Sequence, residues 1–268
     1  MSPETAIIAH PAATAAIAKG PRYCSLLKYV TLCPGTIADY HRLSRYHYRD
    51  EHLGPVAAVW TLRQHVPLMH LEHAVIGVIV YTYPAPNCAA RNTALGPQFC
   101  SSDRAQGLRQ LNQSIRTISR VVIDPAWRGL GLAAWLVRRT LPRLNVPYIE
   151  SLAVMGRFNP FLEKAGMTCY PTPENKKALR LALLLSELNI PPTLWHDPEA
   201  VHERILTLNA ADTARLERCF NAFLGPFGKR RKMSQSPERT DFICRKLAYP
   251  PAYFLWKNPE ACCLVNTG

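Results

Sequence analysis

No stretch of this 268-residue chain runs to roughly eighteen apolar residues, so no membrane-spanning helix is expected. No Cys-x-x-Cys pair occurs among its nine cysteines, and only Cys262 and Cys263 stand close together. An odd, scattered set of thiols argues against a disulfide framework and suits a reducing, cytoplasmic setting. The first twenty residues carry neither a basic start nor an apolar core, so they read as a flexible leader and not as a signal peptide. No internal repeat is visible. Acidic residues are scarce, 19 against 32 Lys and Arg, for a formal net charge of +13. A surface short of carboxylates favours polyanions: nucleic acid, a phosphate-bearing cofactor or anionic lipid. A basic face for a single anionic cofactor is the plainer alternative.

What is present begins with a 48% hydrophobic content, enough for a sizeable core. Thr36 precedes apolar residues at helical spacing, with Gly54-Pro55 beyond. "VAAVWTLRQ" and "AVIGVIVYTYP" read as strands, and the polar segment after Pro84 is long for a connector. "LRQLNQSI" suits a short helix. "RTISRVVIDP" is a strand, "GLGLAAWLVRRTLPRL" a helix, "YIESLAVM" a strand and "NPFLEKAGM" a short helix. Past residue 170 the pattern changes to three amphipathic helices, a basic turn "GKRRK" and an aromatic, proline-rich tail. The expected organisation is a leader over 1–20, a cofactor-binding domain over 21–170, and a helical, basic C-terminal extension over 171–268 that packs on it.

"SRVVIDPAWRGLGLAAWLV" (Ser119–Val137) joins a strand to a helix through two glycines. Amides at a helix start lack intrahelical partners and sit at the positive end of its dipole, so they hold phosphate well. A Walker loop needs a Lys and a Ser or Thr that are missing here. A dinucleotide fingerprint needs a third glycine, for which only Ala134 is available. The pattern [RQ]xxGx[GA] fits at Arg128, Gly131 and Ala133.

On these residues the chain resembles the GNAT superfamily of N-acetyltransferases. "YIESLAVMGRFNPFLEKAGM" is similar to the family's next strand and short helix, and the likeness is specific over about Thr117–Met167. "HYR", "GVIVYTYP", "ISRVVI" and "NPFLEKAGM" also resemble phage Mom-type DNA-modification acyltransferases and GNAT domains associated with ABC-type ATPases. The resemblance implies an α/β (α+β) fold, a mixed, mainly antiparallel central sheet with flanking helices. It implies acetyl-coenzyme A, or another acyl-coenzyme A, as cofactor and, through the Mom-type likeness, a nucleobase acceptor.

In such enzymes the strand before the glycine turn splays from its neighbour and pairs with the pantetheine arm. The resemblance places that arm on Val121, Val122 and Ile123, and the pyrophosphate on Arg128, Gly129, Leu130, Gly131, Leu132, Ala133 and Ala134. Asn159 is a further candidate, near the thiol. The family's thiolate acid is a Tyr where this chain has Leu162, which has no proton to give. Tyr148 and Ser151 are the nearby candidates for that acid. Glu150 and His47 are the candidate bases. Glu150 and Ser151 alternate along the strand, so only one of them faces the cleft.

Tyr48, Arg49, Arg91 and Asn92 are candidates for the acceptor pocket. Lys229, Arg230, Arg231 and Lys232 are candidates for a nucleic-acid backbone, unless that run is simply a solvated turn. "YFLW" reads as a closing strand or as bases' stacking partners. His65, His70 and His73 with Glu72 lack the convergent spacing of a metal site, and no metal is expected. Three readings remain open: an acyl-coenzyme A-dependent N-acyltransferase of DNA or RNA, the same enzyme acting on a small amine or protein lysine, and a non-catalytic nucleic-acid-binding protein that keeps the cofactor fold. Oligomeric state is left open, with a homodimer as one option.

Overall fold

The computed structural model describes residues 25–47, 53–65, 74–101 and 103–261. The expected leader, Tyr48, Arg49, His70, Glu72, His73 and the Cys262-Cys263 doublet lie outside the described residues.

The chain divides into two units, Met1–Tyr170 with Tyr253–Gly268, and Pro171–Ala252. The first is built on a seven-stranded sheet. β1 (Val30–Pro34), β2 (Val56–Gln64), β3 (Val75–Thr82) and β4 (Ile115–Ile123) run antiparallel in sequence order. β5 (Tyr148–Ala153) joins β4 in parallel. β6 (Thr168–Tyr170) is the far edge, and β7 (Ala252–Lys257) lies between β5 and β6, antiparallel to β6. This is the mixed, mainly antiparallel sheet with flanking helices that the resemblance implied.

α1 (Ile37–Ser44) starts where Thr36 accepts a hydrogen bond from the Asp39 amide and the Asp39 carboxylate accepts one from the Thr36 amide, a reciprocal capping box. Burial alone would raise the Asp39 carboxyl. Hydrogen bonds from the Thr36 amide and hydroxyl, with Arg63 and Arg42 beside them, outweigh burial and hold it below the usual carboxylate range. Tyr40 and Leu43 of this helix pack on Val59, Val78, Val80 and Val122, one buried face of the sheet. β3, in mid-sheet, is buried along its whole length, which is why its sequence is an unbroken apolar run.

α4 (Leu132–Thr140) buries Leu132, Leu136 and Val137. The Tyr81 and Thr140 hydroxyls meet at 2.7 Å in the core and fix the helix to β3. Burial pushes the Tyr81 phenol above its ordinary range. Two helices fill the long segment between β3 and β4: α2 (Ala89–Leu95) and α3 (Arg104–Ser114). α5 (Phe161–Lys164) is the short helix that follows β5.

The second unit is helical: α6 (Lys176–Glu187), α7 (Pro198–Leu206), α8 (Ala210–Leu224) and α9 (Pro237–Ala248). It has its own apolar core, including Leu181, Leu185, Trp195, Ile205, Phe220, Phe223 and Ile243. Burial raises the Cys244 thiol in that core to about 11. The expected extension over 171–268 is corrected on one point. The helical unit is an insertion between β6 and β7, because Tyr253–Lys257 returns to the sheet. The aromatic run there is a central strand, Tyr253, Phe254 and Leu255 being almost fully buried.

Candidate active site

β4 and β5 pair over only three residues, Ile115↔Tyr148, Arg116↔Ile149 and Thr117↔Glu150. Both strands continue, to Ile123 and Ala153, but without pairing. β4 also bends at this point. Its partner residues on β3 pair with Ile118 and Arg120 and skip Ser119, a β-bulge. The space between the diverging strands is a cleft of about 550 Å³.

One wall is the edge Ile118–Ile123, which lines the cleft and has no strand partner on the β5 side. The floor is the glycine turn. Gly129 and Gly131 have φ of 82° and 76°, the left-handed region that side chains disfavour, which is why both positions are glycine. Gly131 is the N-cap of α4 and has no side chain with which to cap it. The first amides of α4 are therefore directed to the cleft with no intrahelical acceptor, at the positive end of the helix. Arg128 braces the turn, donating from Nε to the Ile123 carbonyl at 3.0 Å and from Nη2 to the Tyr46 carbonyl at 3.4 Å.

Many of the residues expected here do line the cleft: Val121, Val122, Ile123, Arg128, Gly129, Gly131, Leu132, Ala133, Ala134 and Asn159, with His47 and Ser151. Leu130 instead lines an adjoining shallow groove with Trp135 and Arg138. Leu162, where the resemblance led to an expected Tyr, is buried and has no proton to give. Tyr46, Ser119, Ser151, Arg120 and Lys164 also line the cleft, and of these only Ser151 was singled out from the sequence. Tyr46 directly precedes the "HYR" segment quoted above. For Arg120 there was no signal, since the bulge that re-aims it is a backbone event.

Four expected residues are elsewhere. Glu150 points to the opposite side of β5 from Ser151, as strand alternation requires. Its carboxylate accepts from Arg91 Nε at 2.9 Å, Arg91 Nη2 at 2.7 Å, Thr117 Oγ1 at 2.9 Å and Tyr253 Oη at 2.9 Å. A carboxylate that is 3% exposed and committed to four donors has no lone pair left for an acceptor's proton, so Glu150 is not the base. Arg91 is sealed in with it and is not an acceptor-pocket residue. Burial would lower the Arg91 guanidinium, but the hydrogen bonds and charge of Glu150 outweigh this and raise it. Burial, and next the Glu150 charge, push the Tyr253 phenol far above its ordinary range. Asn92 is exposed on α2, away from the cleft. Tyr148 packs edge-on against Phe99, ring centres 6.2 Å apart, in a separate apolar cluster with Tyr253 and Leu255.

Arg230, Arg231 and Lys232 are exposed in a single 3-10 turn of the helical unit, Gly228–Lys232, to which Lys229 also belongs. Arg230 lies over the Phe242 ring at 4.5 Å. Among the described residues no three His, Cys, Asp or Glu side chains are grouped as metal ligands. No described helix is long and apolar enough to cross a membrane.

No family model matches the chain, and no curated protein does. Among solved structures it is similar to Arabidopsis thaliana NAA60 in complex with acetyl-CoA, at 11% identity, covering 52% of this chain and 85% of that one, with a TM-score of 0.39. It is also similar to AtaT complexed with acetyl-methionyl-tRNAfMet, at 15% identity, covering 55% and 91%, with a TM-score of 0.32. Scores this low establish neither a shared fold nor a shared chemistry.

Proposed function

We propose that this chain is an acyl-coenzyme A-dependent N-acyltransferase of the GNAT type whose acceptor is a nucleobase in DNA or RNA. One observation carries the first part: the free strand edge Ile118–Ile123 runs into the uncapped helix start at Gly129–Ala134 within one cleft. A ligand that fits both needs an extended, amide-bearing arm joined to an anionic group, which describes pantetheine joined to pyrophosphate. Backbone edge and helix start together support that reading of the cofactor. When bound, it supplies an activated thioester.

An acceptor amine that attacks that carbonyl forms a C–N bond as the C–S bond breaks. One proton must leave the amine and one must reach the departing thiolate. His47 is the cleft residue suited to take the first. With Leu162 buried, the second falls to a hydroxyl at the cleft, Ser151 or Tyr46.

The choice of acceptor rests on charge. No Asp or Glu lines the cleft among the described residues, while Arg128 and Lys164 do, with Arg120 buried beside them. A polyamine or aminoglycoside needs carboxylates, whereas a polyanion is drawn to such a mouth. The buried Leu162 favours a second reading, a coenzyme A-binding protein that does not turn over. Both are tested by incubating the protein with labelled acetyl-coenzyme A and duplex DNA, transfer RNA or a polyamine mixture. Label on nucleic acid is the expected result. Label only on the polyamine overturns the acceptor, and cofactor binding without any product supports the second reading. Gly131→Glu, which places a carboxylate in the cradle, is expected to abolish coenzyme A binding; tight binding by that variant would falsify the cradle.

A further inference from the structure

The Arg91–Glu150–Thr117–Tyr253 network is a mostly buried polar cluster that the chemistry does not use, and its position carries information. Thr117↔Glu150 is the last paired register of β4 and β5. Their side chains are themselves hydrogen-bonded at 2.9 Å. One residue further on, Ile118 and Ser151 already line the cleft. The network therefore stands at the vertex where the two strands part.

We propose that this network is a positioning device, which sets where β4 and β5 stop pairing and so fixes the opening of the strand edge that receives the donor. It deepens, and rests on, the reading of that edge as the donor site. The four groups come from α2, β4, β5 and β7, so four elements are tied to one carboxylate. Arg91 is held in turn by the carbonyl of Ala85 at 2.9 Å and that of Pro86 at 3.4 Å. Buried ion pairs add little stability over apolar packing of the same volume. What they add here is direction. Apolar side chains would fill the space but would let the last pair slide or zip further. Just beyond, the bulge at Ser119 turns β4 away, so vertex and bend act in sequence. Thr117 and Tyr253 touch neither wall of the cleft and act only through Glu150.

The test uses hydroxyl deletions that preserve volume, on the full chain. Thr117→Val and Tyr253→Phe each remove one donor to Glu150, and Thr117→Ser keeps it. Coenzyme A affinity is read by calorimetry, thermal stability by melting, and amide hydrogen exchange over 115–123 and 148–153 without ligand. Thr117→Val is expected to weaken coenzyme A about tenfold, the worth of one hydrogen bond to a charged group. Exchange should quicken at the vertex alone, and Thr117→Ser should restore both. A variant that melts earlier yet keeps wild-type affinity and vertex exchange has lost only a structural bond, and overturns the proposal. If the wild-type protein binds no coenzyme A, the donor-site reading fails, and exchange alone decides: quickening confined to the vertex upholds the device, and unchanged or global quickening sinks it. Should Thr117→Val not fold, Tyr253→Phe is read in the same way.

Discussion

The two ends of the β4–β5 pair solve opposite problems a few residues apart. At the closed end, Ile115–Thr117 beside Tyr148–Glu150, the buried Glu150 carboxylate is bonded by buried Arg91 and Tyr253 and by half-buried Thr117. At the open end, from Ile118 and Ser151 onward, the two strands no longer pair, and the cleft between them is lined by a helix start behind two left-handed glycines. Glu150 and Ser151 are neighbours on one strand, yet one belongs wholly to each end. A residue's chemistry alone does not show which end it serves. Glu150 is the stronger base by type, but alternation and burial assign it to the framework and leave the weaker hydroxyl at the cleft.

The largest effect should come from breaking the closed end. Arg91→Met removes the guanidinium and leaves Glu150 buried without its partner, for which a loss of about 3–5 kcal/mol is expected. Urea denaturation measures it, and a loss below about 1 kcal/mol would mean that the closed end does not hold the sheet. Arg91→Met combined with Glu150→Leu is expected to regain most of that stability, since apolar packing replaces the pair. Coenzyme A affinity should stay low in the double variant, because the vertex is still unfixed. Recovery of both would merge the two ends into one packing effect.

At the open end, Gly131→Ala forces a side chain into φ 76° and should cost about 1–2 kcal/mol of stability. A Cβ there meets no protein atom within 4 Å, so no clash adds to that figure. Its effect on coenzyme A binding should exceed its effect on folding, the reverse of Arg91→Met. The ends also differ in their pH response. Tyr253 titrates above its unfolded value of 10.0 when folded. Its contribution is whole below that value and falls as the pH rises towards the folded one, at about 1.4 kcal/mol per pH unit. Urea midpoints between pH 9 and 11 should show this slope in wild type, and Tyr253→Phe should lessen it; equal slopes would place the phenol outside the buried network.

Much of the sheet was legible because its signals are local. β3 is an apolar run, β2, β4 and β5 set apolar residues among polar ones, Thr36 announces α1, and the glycine turn announces the start of α4. The sequence of α2 carries no comparable mark: Cys88 gives it no side-chain cap and it ends in seven residues. Arg91 therefore read as a loop cation when it is a buried strut. α9 does have a Ser236 cap and Pro237 at its first turn, yet it was not among the three helices expected past residue 170. The place of β7 was illegible for another reason. It pairs with β6 across the whole helical insertion, and nothing in an aromatic run says which strand it will meet.

The smallest change in stability tests the boundary between the ends most finely. Ser151 donates to the Ile118 carbonyl at 3.4 Å, a long bond that spans the first gap of the fork. Its loss in Ser151→Ala should cost no more than about 0.5–1 kcal/mol, within the range of one weak, partly compensated hydrogen bond. Coenzyme A affinity should hardly move, since the edge and cradle are backbone. Turnover should nevertheless fall about a hundredfold if this hydroxyl returns the proton to the thiolate. A fall in kcat at constant Kd assigns Ser151 to the chemistry of the open end. A loss of affinity with kcat intact assigns it to the vertex instead, and moves the boundary between framework and site one residue further along β5.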